Sequence, residues 1–242
     1  LENARLGKET EHGSAIMATP FDLSAKHFWP TTFFHRLWQD HPRESPAIIA
    51  RLYEIRKASP IAISSGVALG AKPPRGVFES DFDLFATDHA ALGRLRAFIE
   101  QSIHQAVTQL HAGSFDMPPM RVSLADSWFH ITNEGGFHDS HFHGDCSWCG
   151  IFYVRVGDYA RSPTGGAPNG GSRFYSPLAA GGRFKDLGNR FLDITYVDPP
   201  IQDGTLLLFP SYLLHSALPY RGESDRIVIA FNAQILPAEN SH

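Results

Sequence analysis

Two hydrophobic periodicities divide the chain. Leu92, Leu95, Ile99, Ile103, Ala106 and Leu110 recur at three- and four-residue steps, and this stripe predicts a helix from about Asp88 to His111. Thr87 is its expected N-cap and Gly113 its expected end. A shorter helix is predicted over Pro46 to Lys57, with Ile48, Ile49, Leu52, Tyr53 and Ile55 on one side. Beyond Met120 the pattern changes to alternation. Arg121–Thr132, Phe137–His143, Cys149–Val156, Arg173–Ser176, Phe191–Val197, Thr205–Phe209 and Arg226–Ile235 all read as strands, separated by Gly, Pro and Asp turn signals.

Phe28 to Phe34 reads as a first strand, residues 1–26 as a loosely held leader, and Pro60 to Ser80 as loop with short extended pieces. Helices followed by a run of strands predict an α+β, mainly β fold: a closed or sandwiched antiparallel sheet buttressed by N-terminal helices. The expected organisation is one domain over 27–242, with helical support at about 46–112 and a β core at about 120–236. Arg161 to Gly171 reads as a flexible loop, either a lid beside a site or a tolerated insertion.

Composition narrows the function classes only modestly. The chain has 242 residues, enough for one large domain, and a net charge of −4 without a basic cluster, so neither nucleic acid nor a membrane surface is indicated as a partner. No apolar run is long enough to cross a bilayer, and the polar stretch through Ala15 lacks the core of a signal peptide. Cys146 and Cys149 cannot build a disulfide framework, so the expected compartment is the cytoplasm, and the pair reads as small packing residues near a hairpin. Oligomeric state is not legible. The feature that changes the picture is 13 histidines, several crowded into one stretch.

That stretch is Phe137-His138-Asp139-Ser140-His141-Phe142-His143-Gly144-Asp145. On a strand, residues two apart share a face, so His141 and His143 project together and can chelate one metal ion. Two surface histidines on an edge strand would look the same. Far downstream, the apolar run Thr205–Phe209, then Pro210 and Ser211, leads to a single His215 at a strand end or bend. Arg226 then opens a strand whose faces differ: Ile227, Ile229 and Phe231 on one side, Arg226, Val228, Ala230 and Asn232 on the other. A cation on an inner face must be paired, by a bound carboxylate or by one from the protein. Small neighbours beside its planar fork, with the Asn232 amide on the same face, suit a bound one.

Taken together, His141-Phe142-His143, Gly150-Ile151-Phe152-Tyr153, Asp203 to His215 and Arg226 to Asn232 resemble, in order and spacing, a family of 2-oxoglutarate/Fe(II)-dependent oxygenases. Trp128 and Asn133 also resemble that family's strand ahead of the iron motif. The resemblance covers roughly residues 120–235. It implies a double-stranded β-helix (jelly-roll, cupin-like), an Fe(II) ion on His141, His143 and His215, and 2-oxoglutarate as cosubstrate, with Arg226, Tyr153 and Asn232 on its binding side. The implied reaction is oxidation, in most cases hydroxylation, of a substrate with release of succinate and CO2. Two ligand frames stay open, because His143-Gly144-Asp145 matches the wider superfamily's His-x-Asp rule while His141-x-His143 matches the narrower family. A three-histidine cupin-type thiol dioxygenase, which needs no keto acid, and a non-enzymatic metal-binding β-sandwich are the alternatives. Nothing in the sequence identifies the substrate.

Overall fold

The computed structural model describes residues 31–59, 76–112, 118–160, 166–177 and 195–238. The chain separates into a unit 1–31 and a unit Thr32–His242, and the architecture below is that of the second. The leader, Phe28 to Pro30, most of the Pro60–Ser80 loop, Gly113, residues 161–165 and 191–194 lie outside the described residues.

In chain order the elements are β1 (Phe34–Leu37), α1 (His41–Ala58), β2 (Val77–Glu79), a 3-10 turn (Leu84–Ala86), α2 (Ala90–His111), β3 (Met120–Thr132), β4 (Gly136–His141), β5 (Trp148–Arg155), β6 (Ser172–Tyr175), β7 (Tyr196–Val197), β8 (Thr205–Pro210), β9 (His215–Tyr220) and β10 (Arg226–Pro237). Most expected strands are present with ends shifted by one or two residues, but the first begins at Phe34, where the expected one ended. Of the strand expected over Phe191–Val197, only Tyr196–Val197 is a strand among the described residues; β9 was not foreseen. It carries Pro219, a residue that cannot donate to a ladder and that argues against a strand when only the sequence is read.

Two helix boundaries differ from expectation. α1 starts at His41 rather than Pro46, because Pro42 lies in its first turn, where a missing N–H leaves nothing unpaired. α2 is capped by His89, not Thr87. The extended His89 accepts the Leu92 N–H through Nδ1 at 3.4 Å, while the Thr87 N–H instead closes the 3-10 turn onto Leu84 O. The apolar stripe of α2 is buried as predicted through Leu92, Leu95, Ile99, Ile103 and Ala106, but Leu110 at its end is exposed. Arg94 of α2 and Arg43 both grip the buried Glu44 carboxylate of α1, tying the helices together.

The strands form two antiparallel sheets, ordered β1-β8-β5-β10-β3-β2 and β4-β9-β6-β7. This is the double-stranded β-helix, with the two helices on the outer face of the larger sheet. Alternation explains why that sheet's strands read as nearly continuous apolar runs. Phe152 and Val154, Leu206 and Leu208, Ile227, Ile229 and Phe231 face the helices, while Cys149, Ile151 and Tyr153, Leu207 and Phe209, and Val228 face inward. Both faces are covered, so both must be apolar. α1 also fixes the start of β10. Tyr53 donates to Asp225 Oδ2 at 2.7 Å and Asn133 Nδ2 to its Oδ1 at 3.0 Å, holding the residue just before Arg226.

Gly150 of β5 lies opposite Phe231 of β10, and a Cβ there would come within 2.1 Å of the Phe231 ring. Gly150→Ala is therefore expected to destabilise the fold by about 1–3 kcal/mol through overpacking. A urea midpoint equal to that of the parent chain would show that the ring can move aside.

Candidate metal centre

β4 and β9 are the strands that assemble the site. His141 ends β4 directly opposite His215, which begins β9, and His143 follows in an extended segment whose N–H donates to Ser211 O at 3.0 Å. One ring nitrogen from each of His141, His143 and His215 falls within a group no wider than 4.8 Å. Their ring centroids are 4.4 Å (His141–His215), 5.2 Å (His141–His143) and 5.2 Å (His143–His215) apart. Phe142, between the first two, points away and is 67% exposed, as strand alternation requires.

The backbone fixes which nitrogen is offered. His141 Nδ1 lies 2.8 Å from Asp139 O and His215 Nδ1 lies 2.9 Å from Leu213 O. A carbonyl can only accept, so each Nδ1 carries the proton and each Nε2 presents a lone pair. Burial, reinforced by His141, holds His215 down at about 3 and His143 down at about 4. Both rings are thus neutral at ordinary pH, the state a metal ligand needs. Phe209 and Phe174 pack against the His215 ring and Trp128 against His143, so the ligand side chains have little room to turn. Three neutral imidazole nitrogens converging from two strands fit a divalent first-row metal. Asp145 is not part of the group. It sits exposed in the following turn at φ +57°, where its carbonyl accepts from Gln234 Nε2.

From the histidines a cavity runs into the β-helix, walled by Trp128, Ile151, Phe209, Val228 and Ala230, and Arg226 lines it. Arg226 is 2% exposed and its Nε has no hydrogen-bond partner. Tyr153 is fully buried, its ring 5.4 Å from the Arg226 guanidinium, and its hydroxyl donates to Ser172 Oγ at 2.7 Å. Ser172, not Tyr153, reaches the cavity wall, and because its oxygen accepts from Tyr153 its own proton is free to donate. Asn232 is not on that wall. Its amide donates to Asp126 Oδ2 at 3.0 Å and accepts from Cys149 Sγ. Cys146 and Cys149 are free thiols with Sγ atoms 3.6 Å apart, and Cys149 packs in the inner core.

A second polar group lines the same cavity and was not foreseen. His130 Nε2 lies 2.7 Å from the buried Glu79 carboxylate, and the His138 ring lies 4.3 Å, centroid to centroid, from His130. His130 shares the inner face of β3 with Trp128, which strand alternation alone would have indicated. Nothing in the sequence joins Glu79, on a three-residue strand 51 positions away, to that face. The Arg161–Gly171 loop is tied down where it is described: Asn169 bonds to Asp158 O and Arg221 O, and the Gly170 N–H donates to Pro219 O.

A double-stranded β-helix, three converging histidines and a buried arginine are thus combined around one cavity. Residues 126–232, a little under half of the chain, match the family model described as "Putative 2OG-Fe(II) oxygenase", and that segment holds all three histidines and Arg226. Solved structures show the same fold at low identity. A Pseudomonas putida prolyl-4-hydroxylase is 16% identical (TM-score 0.51, covering 83% of this chain and 91% of that one). HygX from Streptomyces hygroscopicus, crystallised with nickel, 2-oxoglutarate and hygromycin B, is 15% identical (TM-score 0.52, 86% and 84%). SnoK, a carbocyclase from nogalamycin biosynthesis, is 14% identical (TM-score 0.55, 86% and 80%). No curated protein sequence matches the chain. Among the described residues no helix is long and apolar enough to cross a membrane.

Two outcomes are expected. By calorimetric metal titration, His141→Ala, His143→Ala and His215→Ala each lose stoichiometric binding while Asp145→Ala keeps most of it. The reverse ranking of the His141 and Asp145 variants would move the ligand set to His143, Asp145 and His215. The metal-free protein should also lose stability in acid. His138, His143 and His215 have folded values lowered to about 3, 4 and 3, so between those values and the unfolded value near 6.5 the unfolded chain binds more protons. Denaturant midpoints should therefore fall as pH drops from about 6.5 towards 4. A flat profile over that window would contradict the buried neutral rings.

Proposed function

We propose that the protein is an Fe(II)- and 2-oxoglutarate-dependent dioxygenase in which Nε2 of His141, His143 and His215 hold the iron and Arg226 binds the far carboxylate of the keto acid. The reaction is oxidation, in its simplest form hydroxylation, of an unidentified substrate, with release of succinate and CO2. The observation that carries this reading is a single one. The cavity leading in from the three histidines contains a buried arginine whose Nε has no partner. A buried guanidinium N–H without an acceptor is costly, so its retention supports a ligand that supplies one, and a carboxylate matches its charge.

The iron, when bound with its cosubstrate, supplies the oxidising chemistry. The chain's own residues hold, orient and shield. His141 and His215 keep their metal-facing nitrogens unprotonated through their bonds to Asp139 O and Leu213 O. Trp128, Ile151, Phe209 and Val228 exclude water from the cavity, which strengthens every polar interaction made within it. The planar Arg226 fork sets how deep a dicarboxylate can seat, and Tyr153 holds Ser172 so that its hydroxyl points into the same space. A three-histidine thiol dioxygenase would leave Arg226 without a task. A purely structural metal-binding sandwich would not need the cavity. The free thiols of Cys146 and Cys149 are compatible with the cytoplasm, where we place the enzyme.

The test is 2-oxoglutarate affinity on Mn(II)-loaded protein. Arg226→Ala should weaken it by about 10- to 150-fold, the range of a charge-assisted bond of roughly 1.5–3 kcal/mol. Arg226→Lys, which keeps the charge and loses the fork, should fall between, and metal binding should persist in both. Unchanged affinity in Arg226→Ala would remove the keto acid and make the thiol dioxygenase the better reading.

A further inference from the structure

Among the described residues, two buried side-chain polar atoms have no hydrogen-bond partner, His138 Nε2 and Arg226 Nε, and both residues line the one cavity. Strand register places His138 level with Ser172, which also lines the cavity. In the smaller sheet His138 lies opposite Ala217, which lies opposite Ser172, one same-face step below the rung formed by His141, His215 and Phe174. Arg226 comes from the larger sheet, near enough for its charge to act on both the His138 and His130 rings. A carboxylate has two oxygens, and Arg226 alone need not fill both.

We propose that His138 is a second binding residue for the distal carboxylate of the keto acid, donating Nε2–H to it opposite Arg226. Glu79 and His130 are positioning residues that set the direction of the His138 ring. This rests on the function proposed above and deepens it. The Glu79 carboxylate holds His130 by its Nε2, the His130 ring lies against His138, and Nε2 of His138, a residue that lines the cavity, is buried without a protein partner. The same three side chains could be read as a second metal site. Against that, His130 Nε2 and the Glu79 carboxylate are already engaged with each other at 2.7 Å, and a metal would have to break that contact.

The experiment uses the full chain loaded with Mn(II), titrated separately with 2-oxoglutarate and with 2-oxobutanoate, a keto acid that lacks the distal carboxylate. His138→Leu should weaken 2-oxoglutarate by about tenfold or more. It should leave 2-oxobutanoate affinity and metal stoichiometry unchanged, and His138→Gln, which restores an N–H near the same reach, should recover part of the loss. Unchanged 2-oxoglutarate affinity in His138→Leu would overturn the proposal while leaving the oxygenase reading intact. Equal weakening of both keto acids would also overturn it, as general damage to the site. So would loss of a second metal equivalent, which would make the cluster a metal site. A parent chain that binds Mn(II) but no 2-oxoglutarate would overturn the function itself, and this proposal with it.

Discussion

The two-residue alternation of β10, covered on both faces, is the constraint on which the site depends. β10 is paired along its length to β3 on one side and to β5 on the other, so its register is set by two neighbours. A slip by one residue would exchange its faces. Ile227, Ile229 and Phe231 would leave the helix side for the cavity, and Arg226 would be driven into the apolar layer beneath α1 and α2. The apolar face of one strand therefore specifies the position of the arginine that lines the cavity. Stability and site geometry have the same physical origin here.

A second constraint is backbone rather than side chain. At both His141 and His215 the ring is oriented by a carbonyl two residues earlier in its own segment, Asp139 O and Leu213 O. Such a local bond survives as long as the strand does and does not require a distant partner to be in place. It settles the tautomer before any metal arrives, which lowers the ordering cost of binding. The packing of Phe174 and Phe209 on His215 then restricts the ring to that orientation.

What the sequence made legible follows the same division. The three histidines and Arg226 were readable because each sits in a strand with clear alternation, and the metal group needs only that His141 and His143 share a face. The helix stripe was readable for the equivalent reason at a period of 3.6. Less legible were features decided by contacts between distant segments. His89 rather than Thr87 caps α2 because the helix begins only at Ala90, Thr87 still belonging to the end of the 3-10 turn. Tyr153 lies beside Arg226 as expected, yet acts through Ser172, whose placement depends on how β6 folds over the cavity. Asn232 shares the inner face in sequence but is occupied by Asp126, its partner across the ladder in the middle of β3. The Glu79–His130 contact could not be read at all, since β2 is too short to show a period.

The composition of the cavity constrains what it can bind. His138, His143 and His215 are held neutral chiefly by burial, so they offer donors and lone pairs without adding charge. The fixed positive charge in its lining is Arg226, and a divalent metal on the histidine cluster would add two more. In a space walled by Trp128, Phe209, Val228 and Ala230, that much positive charge is tolerable only with anions that reach both ends. A monoanion bound at the metal would leave the arginine uncompensated. A neutral ligand would leave both. On the function proposed above, a short dicarboxylate with one end at the metal and the other at Arg226 meets the requirement.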